Sequence, residues 1–170
     1  MRKRPVYIML AGLPGAGKTT LRKTLVQVWH RDLRQLSTDD VIDAAAREAR
    51  KTYSEVWAQE AKTATWVIGA LKSDALQDAA DIIHDQTNTT PTKRHDTLCD
   101  VPANYFKVCI VVSAREDVRQ QRLLQRPGKV IPYEVDQNMQ RMWRYPELRE
   151  GFDAVIPSYL TSKVLRPWFV

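Results

Sequence analysis

A chain of 170 residues that is 44% hydrophobic and 27% charged has enough length to bury a core without disulfide or metal staples, and reads as one soluble globular domain over 1–170. No apolar run is long enough to span a bilayer, and the run behind the opening MRKRP ends at Ala11, too soon for an export signal. The net charge of +6 leans towards an anionic partner such as nucleic acid, and no basic tail carries it.

The first predicted element is an apolar run, Val6 to Ala11, of the length of a buried parallel strand. Gly12, Gly17, Lys18 and Thr19 then fit G-x-x-x-x-G-K-[ST], the phosphate-binding loop between a strand and a helix. Glycines at 12, 15 and 17 let consecutive backbone N–H groups approach a phosphate chain without Cβ clashes. The helix that opens near Lys18 points its positive dipole end at the same anion. The stretch Gly12, Pro14, Gly15, Ala16, Gly17, Lys18, Thr19 and Thr20 is therefore the expected ATP site, with Lys18 on the β- and γ-phosphates and the Thr19 hydroxyl on Mg²⁺.

That helix is predicted from Lys18 to Trp29, with Leu21, Leu25 and Val28 facing inward. A second strand, Leu33 to Ser37, delivers Thr38, Asp39 and Asp40 at its carboxyl end, where ligands sit in open α/β sheets. One carboxylate of such a pair can take the proton of an attacking hydroxyl while the other caps the next helix; the alternative is that both only cap. A short helix over 40–50 and a long one from Ser54, its expected N-cap, to Ala79 follow. Val56, Trp57, Ala61, Ala64, Val67, Ile68 and Leu71 form the long helix's apolar stripe, and Trp57 and Trp66 read as packing residues. A third strand, Ala80 to His84, ends at Asp85, placed to hold Mg²⁺ through water, with His84 read as a packed side chain.

A helix over Pro91 to Cys99 and a fourth strand, Tyr105 to Val112, come next. Cys99 and Cys109 lack metal-ligand spacing and read as buried, reduced thiols of a cytoplasmic protein. Ser113 with Glu116 has the pattern of a capping box. Arg115, Arg119, Arg122 and Arg126 share one face of the helix it opens. Pro127 and Gly128 break that helix, and another runs from Pro132 to Arg144, so that 115–144 has the make-up of a lid closing over phosphates. A last strand is expected at Asp153 to Ile156.

With these residues in place, the chain resembles the small P-loop kinases typified by the kinase half of phage polynucleotide kinase. Four stretches carry the likeness in order: GLPGAGKTT, STDD, IIHDQTN and RLLQRPGKVIP. The resemblance implies an α/β domain with a parallel five-stranded sheet in order 2-3-1-4-5, helices on both faces and an arginine lid. It also implies ATP and Mg²⁺ as cofactors, Asp39 as general base with Lys18, Arg122 and Arg126 as catalytic cations, Asp40 and Asn88 beside the acceptor, and Thr19 and Asp85 on the metal. The implied activity is phosphorylation of a nucleic-acid 5′-hydroxyl. In the family pattern an arginine one turn beyond the base grips the phosphate next to that hydroxyl, and here the position is Ile42, with Arg47, Arg50 and Lys51 as candidate substitutes. Kinases of hydroxymethyl groups on modified DNA bases and kinases of a nucleoside, sugar or antibiotic are the alternatives, and a non-kinase NTPase switch is a third class.

Overall fold

The computed structural model describes residues 4–168. Strand β1, Val6–Ala11, is buried along its whole length. A strand apolar on both faces needs cover on both, which parallel sheets provide. It lies between β3 (Asp81–Asp85) and β4 (Phe106–Val111), with β2 (Leu33–Leu36) beyond β3 and β5 (Ala154–Pro157) beyond β4. Every pairing is parallel, and the order 2-3-1-4-5 is the one expected from the sequence.

The helices are α1 (Lys18–Val28), α2 (Thr38–Ala49), α3 (Tyr53–Gln77), α4 (Pro91–Leu98), α5 (Glu116–Leu124), α6 (Tyr133–Met142) and α7 (Thr161–Leu165). Side-chain alternation along β1 feeds two cores. Val6, Ile8 and Leu10 pack with Leu25, Trp29 and Leu165, while Tyr7, Met9 and Ala11 pack with Ile68, Ala75 and Leu98. A separate apolar cluster, Ile42 and Ala46 against Val56 and Ala64, joins α2 to α3. No helix among the described residues is long and apolar enough to cross a membrane.

Several local expectations are corrected. The N-cap of α3 is Thr52, in a reciprocal box with Glu55, because T-x-x-E two residues earlier satisfies both orphan donors, and Ser54 is left for another partner. No side chain caps α5: the Glu116 carboxylate is taken by Arg119. Trp57 and Trp66 do not pack; they are 52% and 74% exposed, since a helix of 25 residues rests on its neighbours along one narrow stripe. Leu71 and Val28 are exposed as well. Cys109 is buried, its thiol pushed up to about 12 by that burial, but Cys99 is exposed. His84 is packed as expected, its Nδ1 2.7 Å from the Tyr7 hydroxyl.

The loop after β3 is held by Arg94, which is fully buried. Its guanidinium donates to both carboxylate oxygens of Glu150 at 2.6 and 2.8 Å and to the carbonyls of Asn88 and Arg144 at 2.9 and 3.0 Å. Removing one member of such a buried pair strands the other, so Arg94→Met is expected to cost about 3–5 kcal/mol. Arg115→Met, which removes a solvated pair with Asp117, should cost less than about 0.5 kcal/mol. Urea unfolding midpoints compare the two; equal midpoints would contradict this role for Arg94.

Candidate active site

The phosphate loop leaves β1 at Gly12, where a side chain has no room: a Cβ there would lie 2.2 Å from the Val112 carbonyl oxygen. The Gly12 N–H donates to the Thr87 carbonyl at 2.9 Å, fastening this loop to the one after β3. At the other end Gly17 adopts φ 106°, and α1 starts there with no side-chain cap. By contrast α2, α3 and α4 are capped by Ser37, Thr52 and Thr90. The uncapped N–H groups of α1 fit an anion as their partner.

Lys18 folds back over the loop, donating to the carbonyls of Gly12 at 2.9 Å and Leu13 at 3.0 Å. Its enclosure pushes the amine down to about 8, although Asp85 and Asp39 pull the other way. A polyphosphate would supply the missing countercharge. The Thr19 hydroxyl donates to Asp85 Oδ2 at 3.0 Å. Burial raises the Asp85 carboxyl, against Lys18 and Arg22. Among the described residues no group of three His, Cys, Asp or Glu side chains could hold a metal. Mg²⁺ does not need one, since it keeps waters and binds through phosphates and one or two protein oxygens, and Thr19 with Asp85 fits that pattern.

At the end of β2 the acidic pair divides. Neither aspartate caps α2: that is Ser37, whose side chain accepts from the Asp40 N–H at 3.3 Å. Asp40 grips Arg22 through both oxygens, one at 2.9 Å, and Arg22 Nε lies 3.3 Å from Asp85. Asp40 thus braces Arg22. Asp39 instead accepts from the Tyr53 hydroxyl at 2.8 Å and pairs with Lys129 at 2.5 Å. Burial alone would raise its carboxyl, but Lys129, Tyr53 and Arg126 outweigh that and hold it below the ordinary carboxylate range. Asn88 is likewise a brace. It is buried in a left-handed turn (φ 47°) with its amide on the Leu10 carbonyl at 2.8 Å. Ile42, at the position where the family pattern has a phosphate-gripping arginine, is 2% exposed in the α2–α3 core.

The four lid arginines also divide by partner. Arg115 stays on the surface with Asp117. Arg119 is buried between Glu116, Asp136 and the Pro14 carbonyl, at 3.1 Å from the last. Arg122 donates to the Gly15 and Ala16 carbonyls at 3.2 and 3.4 Å. Arg126 acts on Lys18 and Asp39 through its charge. Four residues of this site went unread in the sequence: Arg22, Tyr53, Asp136 and Lys129. Only Lys129 carried a signal, as a cation directly after the Pro127–Gly128 break.

Residues 7–144 match the model of a known family, the AAA domain. The chain belongs to that family. Among solved structures, a candidate kinase of Chloroflexus aurantiacus is 17% identical with a TM-score of 0.70, covering 99% of this chain and 100% of that one. Shikimate kinase from Acinetobacter baumannii, in complex with shikimate, is 18% identical with a TM-score of 0.58, over 96% and 92% of the two chains. A chain of the Pnkp1/Rnl/Hen1 complex is 15% identical with a TM-score of 0.53, over 78% of this chain and 43% of that one. Comparison with curated proteins gives no match. The family is the AAA domain, and the fold is the one these P-loop kinases share.

Lys18→Ala should abolish phosphoryl transfer without lowering the thermal midpoint, because the amine bonds only loop carbonyls. Asp39→Asn should retain ATP affinity and lose two to four orders of magnitude in turnover (roughly the range for a general base). Asp40→Asn should instead cost about 1–3 kcal/mol of stability and much less rate. Equal rate losses at the two aspartates, measured in one transfer assay, would contradict the division of roles.

Proposed function

We propose that the protein transfers the γ-phosphoryl group of ATP to a hydroxyl of nucleic acid. The acceptor hydroxyl gives its proton to Asp39, its oxygen bonds to the γ-phosphorus, and the bond from that phosphorus to the β,γ-bridging oxygen breaks to release ADP. Lys18, Arg122 and Arg126 neutralise charge on the transferring group. Thr19 and Asp85 would hold Mg²⁺, which would supply further neutralisation of the phosphates.

The observation that carries the acceptor class is the exposed basic run at the far end of α2. Arg47, Arg50 and Lys51 all face solvent, and none forms a salt bridge among the described residues. Asp39 starts the same helix, so at 1.5 Å per residue the cations lie about 12–17 Å from it. A sugar or nucleoside is too small to reach from the base to that run, while a strand of several nucleotides spans it. The exposed Trp57, one helical turn beyond Tyr53, adds an aromatic face of the kind on which bases stack. Transfer to a hydroxymethyl group on a base is the second reading, since the position where the resembled 5′-end kinases carry a phosphate-gripping arginine is here the buried, apolar Ile42.

The test is γ-labelled ATP with 5′-hydroxyl DNA, 5′-hydroxyl RNA, hydroxymethylpyrimidine duplex, nucleosides and small sugars. Label on an oligonucleotide is expected, and digestion to single nucleotides separates end from base. Replacing Arg47, Arg50 and Lys51 together by Ala should lower kcat/KM for that acceptor about tenfold or more, flatten its salt dependence and spare ATP binding. Label on nucleosides or sugars alone would overturn the nucleic-acid reading.

A further inference from the structure

The turn between α5 and α6 is fastened to the start of α3. The Ser54 N–H donates to the Gly128 carbonyl at 3.0 Å, and the Val130 N–H donates to Ser54 Oγ at 2.9 Å. Gly128, at φ +71°, sits so close that a Cβ on it would be 2.9 Å from the Thr52 Cβ. Lys129 lies between these two anchors. Its ammonium is 3.8 Å from the centre of the Tyr53 ring and 2.5 Å from Asp39 Oδ2, and its side chain is only 14% exposed.

Asp39 is faced by Lys18 and Arg22 from α1, Asp43 from its own helix, Tyr53 from α3, Asp85 from β3, and Arg126 and Lys129 from the lid. Among the described residues Lys129 is the one that forms an ion pair with it. With Tyr53 on one oxygen and Lys129 on the other, the carboxylate is held in its charged form and is a poor base in this state, although its side chain is 48% exposed. A general base must have an oxygen within hydrogen-bond reach of the hydroxyl it serves. Water carries the same O–H as an alcohol, is present in large excess, and is the wrong acceptor.

We propose that Lys129 is a positioning residue that selects against water, holding Asp39 until an acceptor large enough to displace the ammonium places its own hydroxyl on Oδ2. This rests on the kinase reading. Once released, Oδ2 takes the proton from the acceptor oxygen, that oxygen bonds to the γ-phosphorus, and ADP leaves with the bridging oxygen. Water makes the same exchange of bonds and reaches the half-exposed carboxylate, but it leaves the ammonium in place and so meets a base weakened by Lys129.

Water is itself the probe, so the test needs Mg·ATP alone. Lys129→Met keeps the aliphatic stem and removes the charge; acceptor-free ATP hydrolysis should rise about tenfold or more. Lys129→Arg should keep hydrolysis low. Adding Asp39→Asn to Lys129→Met should return it to the wild-type level or below, because the released base is what drives it. Calorimetry of ATP binding runs alongside. Hydrolysis unchanged or lowered in Lys129→Met with ATP still bound, or raised hydrolysis that survives Asp39→Asn, would overturn the role of Lys129 and leave the kinase reading standing. No ATP binding in any of the proteins would overturn both.

Discussion

The active end of the sheet depends on one buried guanidinium. Arg22, 2% exposed on α1, grips Asp40 at the start of α2 and lies against Asp85 at the end of β3, while Thr19, three residues before it on α1, reaches the same Asp85. A charge this far from water is tolerable only with partners, and these come from the other two elements that line the site. The phosphate loop, the helix that carries Asp39 and the carboxylate of Asp85 are thereby held together. Successive residues of a helix project about 100° apart, so Asp40 can turn in to Arg22 while Asp39 turns towards the cleft.

The lid depends on a comparable group. Arg119 is held by Glu116 and Asp136 across α5 and α6 and donates to Pro14, so the two lid helices and the phosphate loop share one ion cluster. From that fixed end the lid reaches the acceptor side, where its turn is bonded to Ser54 and its lysine to Asp39. One segment thus touches both the phosphate loop and Asp39.

Strand order and the phosphate loop were legible because their signals are local: a short apolar run, three glycines at fixed spacing and a helix start. The roles of the polar residues were not, because each depends on a partner far along the chain. Asp40 is a brace because Arg22 stands 18 residues earlier, and Asn88 is a brace because Leu10 offers its carbonyl from 78 residues away. Trp57 and Leu71 fall within the apolar periodicity of α3 and still face solvent, since periodicity gives a face its direction and not its width. Ile42 shows the converse: counting one turn from Asp39 finds the position, while the packing of α2 on α3 buries it.

The placement of β1 at the centre of a parallel sheet has a consequence for synthesis. Tyr7 pairs with Ile82 and Met9 with Cys109, so the strand that carries the phosphate loop leaves the ribosome early and waits for both neighbours. At about 5–20 residues per second the wait for β4 is roughly 5–20 s, during which VYIMLA, with no charge or proline inside it, is an unpaired edge. Arg2, Lys3, Arg4 and Pro5 stand directly before it in the sequence, and a cluster of like charges closed by a proline opposes the edge-to-edge pairing that such a strand invites. Like charges closed by a proline are thus the pattern that protects the strand on which the site is built.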